Sequence, residues 1–153
     1  MSGSNKIIIA NETHHTLGIS PKKLKHFTET ILKKLRYRNT VLSLVFVSDA
    51  KIKRLNQKHL RHSYATDVLA FPFSSSKNHS KQPFFLGEVI ISPKRARVQA
   101  RIFKATFREE LLRYVCHGIL HLAGYLDKSR SAQRKMRTAE NKLLKEKHGD
   151  SKR

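Results

Sequence analysis

The chain is poor in acids, in cysteine and in long apolar runs. Only 11 Asp and Glu stand against 32 Lys and Arg in 153 residues, a formal charge of +21. That balance makes a polyanion the expected partner, nucleic acid ahead of an anionic membrane surface. A single cysteine, Cys116, excludes an internal disulfide and a cysteine-based zinc cluster. Its place inside an apolar stretch suits a small buried hydrophobe rather than a nucleophile. No segment approaches the roughly 20 apolar residues of a membrane span, and MSGSNKIII has too short an apolar run for a secretory signal. The expectation is a cytoplasmic protein with no membrane partner, or an organellar-matrix one after loss of a leader. Internal repeats and long linkers are also missing, so residues 1–153 read as one domain, large enough for a real core.

What is present is a regular succession of elements. KIIIAN (Lys6–Asn11), VLSLVFV (Val41–Val47), VLAFPF (Val68–Phe73) and FLGEVII (Phe85–Ile91) read as strands, rich in β-branched and aromatic residues. Pro72 confines the third to an edge or an end, and Gly87 marks a bulge or a close backbone approach in the fourth. Ser20-Pro21 and Ser92-Pro93 each pair a capping serine with a proline at the first helical position. Ser48-Asp49 caps a further helix, and Thr106-x-x-Glu109 is a capping box. From Ser131 to about His148 a last helix turns Met136, Ala139, Leu143 and Leu144 inward. The order β-α-β-α-β-β-α-α-α predicts an α+β fold, a small four-stranded mixed sheet packed with about five helices.

The stretch TFREELLRYVCHGILHLAGYLD (Thr106–Asp127) carries the chemistry. Its helix is apolar nearly all round its last two turns, the pattern of a central helix. His117 and His121 lie four apart, on one face and one turn apart, where neutral imidazoles can share one metal ion. Gly118 leaves space beside the pair. Gly124 is a good residue to end the helix, so that Asp127 can swing back as a third ligand. Two hydrogen-bonded core histidines would produce the same spacing. The motif is not the HExxH of zinc proteases, because Gly118 stands where that motif has its glutamate. A hydrolytic site here would take its base from the ion's own water or from another residue.

The charge falls on the helices. Lys94, Arg95, Arg97 and Arg101 on the helix after Ser92 are the best candidates for guiding an RNA backbone. Arg61 follows one helix and precedes the polar loop RHSYATD, so it reads either as a surface cation or as a group reaching the metal site. His59 and His62 flank it. Asp67 and Glu88 read as structural hydrogen-bonders. Tyr64, Phe73 and Phe84 border loops, with base stacking and core packing both open.

HGILHLAGY (His117–Tyr125) resembles the signature of the YbeY family of metal-dependent, single-strand-specific endoribonucleases. Asn56, Arg61 and TDVLAFP (Thr66–Pro72) are similar to a second block of that family, LGEVIIS (Leu86–Ser92) to a third, and Met136 with Glu140 to the start of its last helix. The resemblance implies a sheet over a central helix, a zinc-type ion on three histidines and an arginine, Arg61, at the cleft as a catalytic group. It also implies single-stranded RNA as substrate, with a part in ribosomal RNA 3′-end maturation and ribosome quality control. The departure is at the third ligand. Without a gap, the family's third metal histidine falls on Asp127; with one residue inserted after Tyr125, Lys128 takes that place and the site is broken. The expectation is Asp127 as ligand, with zinc or another divalent ion such as manganese or iron, and weaker activity near neutral pH. A non-catalytic RNA- or ribosome-binding protein with a decayed metal site, and a metal enzyme of other chemistry, remain the alternatives.

Overall fold

The computed structural model describes residues 3–60, 67–73 and 83–148. Among the described residues nine elements follow in the expected order: β1 (Lys6–Asn11), α1 (Pro21–Lys34), β2 (Thr40–Phe46), α2 (Asp49–Leu60), β3 (Val68–Pro72), β4 (Phe84–Ile91), α3 (Pro93–Ile102), α4 (Phe107–Leu122) and α5 (Arg130–His148). The fold is α+β, a four-stranded mixed sheet with five helices.

The sheet order is β1-β2-β4-β3. β2 lies parallel to both β1 and β4, and β3 runs antiparallel to β4. β2 is an inner strand, and its TVLSLVF run is buried almost throughout, as a strand covered on both faces requires. Pro72 sits on the edge strand β3, where a missing N–H leaves no ladder bond unmade. Gly87 does both things its type suggested. The β2–β4 register slips there, with Val41 opposite Phe85 and Leu42 opposite Gly87. A Cβ at Gly87 would also lie 2.7 Å from Leu122 Cδ2 and 2.7 Å from the Phe71 carbonyl oxygen.

The larger core lies on one face of the sheet. Leu42, Leu44, Phe46, Leu86, Val89 and Ile91 meet Leu24, Phe27, Ile31 and Leu32 of α1, the apolar side of α4, and Met136 of α5. On the other face Val47, Leu69 and Ile90 pack with Ile52 of α2. α4 contacts β3, β4, α1, α3 and α5, so it is the central helix. None of the described helices is long and apolar enough to cross a membrane.

Candidate metal centre

The ends of α4 are both specified by local sequence. At the start, the Thr106 hydroxyl accepts from the Glu109 N–H at 3.0 Å, and the Glu109 carboxylate accepts from the Thr106 N–H at 2.8 Å. At the finish, Gly124 adopts φ +105°, its N–H donates to the His121 carbonyl at 3.0 Å, and the Tyr125 N–H donates to the Leu120 carbonyl at 3.0 Å. This is a Schellman turn, which needs a residue without a Cβ at that position. It fixes the path of the three residues that follow.

That path closes the site. The Tyr125 carbonyl comes to 3.0 Å from His121 Nδ1, and Asp127 Oδ2 to 3.2 Å from His121 Nε2 and 3.7 Å from His117 Nε2. The two Nε2 atoms are 3.0 Å apart, with the rings edge to face at 85°. A carbonyl can only accept, so His121 Nδ1 carries the proton and its Nε2 is left as a lone pair. On His117 the same job falls to Glu140, whose Oε2 lies 2.6 Å from Nδ1. Glu140 is buried, and burial alone would raise its pKa. The hydrogen bonds and charges of His117 and Arg113 outweigh burial and hold it below the ordinary carboxylate range. Arg113 reaches it with Nη1 2.9 Å from Oε1.

Two imidazole lone pairs and a carboxylate oxygen therefore converge on one point. Such a set repels itself unless a cation sits among the three donors. A proton on His121 is opposed by burial first and by the neighbouring His117 second, and its pKa is lowered. A metal ion fits better. Edges of 3.0, 3.2 and 3.7 Å match one face of a tetrahedron with bonds of about 2.0–2.2 Å, whose edges are ~3.3 Å. His117, His121 and Asp127 are thus a group that could hold a metal ion, partly buried and open to solvent on one side. Lys128 is exposed and is not part of this group, which takes in Asp127, as the ungapped reading of the turn expects.

A cleft of about 290 Å³ surrounds the cluster, lined also by Asp67, Tyr114, Gln133, Arg137 and the Arg113–Glu140 pair. Asp67 accepts from Arg95 Nε at 3.3 Å, and Glu88 accepts from the Ser43 hydroxyl at 3.3 Å, the structural roles their positions suggested. Cys116 is fully buried; burial first, then Glu140, pushes its thiol pKa far up, which excludes a nucleophile. Phe73 is exposed and sits edge-on to Phe85, whereas Phe84 packs against the core.

Gly118 differs from expectation. It does not open space for the ion. A Cβ there would fall 2.3 Å from Val89 Cγ1 and 3.1 Å from Val68 Cγ1, so the missing side chain lets α4 press onto the sheet. The four basic residues of α3 also divide. Arg95 reaches the cleft rim through Asp67. Arg97 lies over the Phe107 ring at 3.9 Å, at the start of α4, ten residues or about 15 Å of helix before His117. Lys94 and Arg101 are exposed and line no part of the cleft. Arg61, His62 and Tyr64 lie outside the described residues, as does the side chain of His59. The cleft residues without a local signal are Arg113, Gln133 and Arg137. Only their phase on the helices could have shown them, since 113 and 117 share a face of α4, and 133, 137 and 140 a face of α5.

The endoribonuclease YbeY family model matches residues 8–148. Relatives named endoribonuclease YbeY include one from Thermodesulfovibrio yellowstonii, 43% identical over 117 residues that span 74% of this chain and 72% of that protein. Another, from Geobacter metallireducens, is 34% identical over 138 residues and covers 90% of each chain. A Thermotoga maritima protein solved in solution superposes with a TM-score of 0.56 at 30% identity, over 92% of this chain and 90% of its own. A match over nearly the whole length, joined to a histidine pair and carboxylate at the point where the signature falls, leaves one conclusion: the chain belongs to the YbeY endoribonuclease family.

Proposed function

We propose that the chain is a metal-dependent endoribonuclease, a hydrolase cutting single-stranded RNA, with His117, His121 and Asp127 as ligands of one zinc or similar divalent ion. The convergence of two anchored imidazoles and a carboxylate, in a chain of this family, carries the reading. When bound, such an ion polarises a phosphoryl oxygen and lowers the pKa of a water molecule. The protein's own part is to hold that chemistry in place. Glu140 and the Tyr125 carbonyl fix both imidazoles with Nε2 turned to the cleft. Asp127 adds a negative charge that a third histidine would not, which widens the choice of ion toward manganese or iron. Arg61 supplies a planar cation for the charge that builds on the phosphate. Lys94, Arg95, Arg97 and Arg101 of α3 draw the RNA backbone in.

The proposal extends to a single domain over 1–153, located in the cytoplasm, acting on ribosomal RNA in 3′-end maturation and ribosome quality control. Cleavage of single-stranded RNA by the purified chain, abolished by EDTA and by His117→Ala, is the expected result. RNA binding without cleavage would instead mark a binding protein with a decayed site. Metal content of Asp127→Ala and Asp127→His tests the third ligand: full metal in Asp127→Ala would remove Asp127 from the set.

A further inference from the structure

We propose that Arg137 on α5 is a substrate-binding residue that grips an RNA phosphate beside the His117–His121–Asp127 cluster. The inference rests on the endoribonuclease reading and deepens it, by naming where the backbone of the substrate is held.

Gln133, Met136, Arg137 and Glu140 are spaced i, i+3, i+4 and i+7, and all four line the cleft. One face of α5 therefore forms a wall of the site. Each of these side chains but one has its work assigned. Gln133 donates to the Asp127 carbonyl at 3.0 Å and steadies the ligand turn. Met136 is buried in the core. Glu140 has both oxygens taken, Oε2 by His117 at 2.6 Å and Oε1 by Arg113 at 2.9 Å.

Arg137 is left over. Its Nε stands 4.0 Å from Glu140 Oε1, an ion-pair distance too long for a hydrogen bond, and both oxygens of that carboxylate already have closer partners. The other carboxylates of the cleft also have nearer partners: Asp67 has Arg95, and Asp127 has the histidines. The two cleft arginines differ in reach. Arg113 is 11% exposed and locked to Glu140, whereas Arg137 is 45% exposed. A solvated guanidinium at the wall of a cleft, hydrogen-bonded to no carboxylate among the described residues, is suited to a bidentate contact with a phosphodiester. A lysine would supply the charge without the fork.

The test uses the full-length, metal-loaded chain, its Arg137→Ala and Arg137→Lys variants, and Lys25→Ala on α1, which removes the same charge away from the cleft. Affinity for a short fluorescein-labelled single-stranded DNA, which presents the phosphates without a 2′-hydroxyl, is measured across a salt series. One lost phosphate contact on a single strand lowers the slope of log K against log salt by about 0.7. That change is expected in Arg137→Ala, with the slope unchanged in Lys25→Ala and bound metal per chain unchanged in all. On single-stranded RNA, kcat/KM is expected to fall roughly 100-fold in Arg137→Ala and to recover in part in Arg137→Lys. An unchanged slope in Arg137→Ala, or an equal change in Lys25→Ala, overturns the proposal. If the wild-type chain binds but does not cut RNA, the endoribonuclease reading fails, and the salt slope alone decides Arg137.

Discussion

α3 and α5 both carry rows of arginine and lysine, and both lie against α4. In sequence they look alike, and α3, coming straight after a strand, looks the better placed. In the fold they are used differently. α3 spends Arg97 on the Phe107 ring near the start of α4, and Arg95 on Asp67 at the rim. α5 sends Glu140 to His117, Gln133 to the Asp127 turn, and Arg137 into the cleft. Both helices carry charge that attracts an RNA backbone, but of the two only α5 lines the cleft. What decides the use of a basic helix is which turn of the neighbouring helix it faces.

The largest effect should come from the α4 face that α5 supports. His117→Ala removes a donor from the cluster, and an ion that supplies several kcal/mol of transition-state stabilisation is lost with it. Cleavage is expected to drop by about 1,000-fold or more, with bound metal falling in parallel; activity within tenfold of wild type would break the assignment. Glu140→Ala comes next. It strips the anchor from His117 and leaves the largely buried Arg113 charge without its carboxylate. A loss of roughly 3–5 kcal/mol in unfolding free energy is expected by denaturant titration. Metal affinity should also weaken by about 10- to 100-fold. Loss of stability without loss of metal affinity would separate the two roles of α5.

The third side of α4 offers a scale for these numbers. Gly118→Ala pushes a methyl to 2.3 Å from Val89 Cγ1, and overpacking of this kind costs about 1–3 kcal/mol. Calorimetry should show a lower Tm for this variant with bound metal per chain unchanged, because the clash falls on Val89 and Val68 of the sheet and not on a ligand.

Acid should act through the same end of α4. In the metal-free chain, burial and His117 lower the pKa of His121 below its ordinary 6.5. The unfolded chain then takes up a proton that the folded one refuses, so this contribution is complete above 6.5 and is lost as pH falls toward the folded value. Glu140, held below its ordinary 4.5, adds a second loss in the same direction at lower pH. Tm of the metal-free protein is expected to decline as pH drops below 6.5, and His121→Gln should blunt the first part. A Tm that rises toward acid would contradict both shifts.

The smallest effect belongs to α3. Arg97→Ala removes an exposed cation–π contact worth about 0.5–1 kcal/mol. Cleavage should stay within about twofold, while Arg95→Ala, which frees Asp67 at the rim, should do more. If Arg97→Ala cripples cleavage as strongly as Arg137→Ala, the contrast between the two helices is wrong.

The features that were legible in the sequence are the local ones. Capping serines, prolines, the Thr106–Glu109 box and the β-branched runs specify elements because each acts within about four residues of itself. The His117–His121 pair and the Gly124 turn belong to the same class. Helix pitch sets the first, and the lack of a Cβ sets the second, so Asp127 could be placed from its distance along the chain. Gly118 shows the limit of such reasoning. Its missing side chain was visible, but whether that space belonged to an ion or to Val89 depended on which way the helix is rolled against the sheet. The Arg113–Glu140 pair spans 27 positions and the His117–Glu140 bond spans 23. No local rule reaches that far. Sequence alone determined that a helix would present two imidazoles and a returning carboxylate on a strongly basic chain. Only packing decided which carboxylate would anchor His117 and which arginine would line the cleft, because those contacts form where α4 and α5 meet.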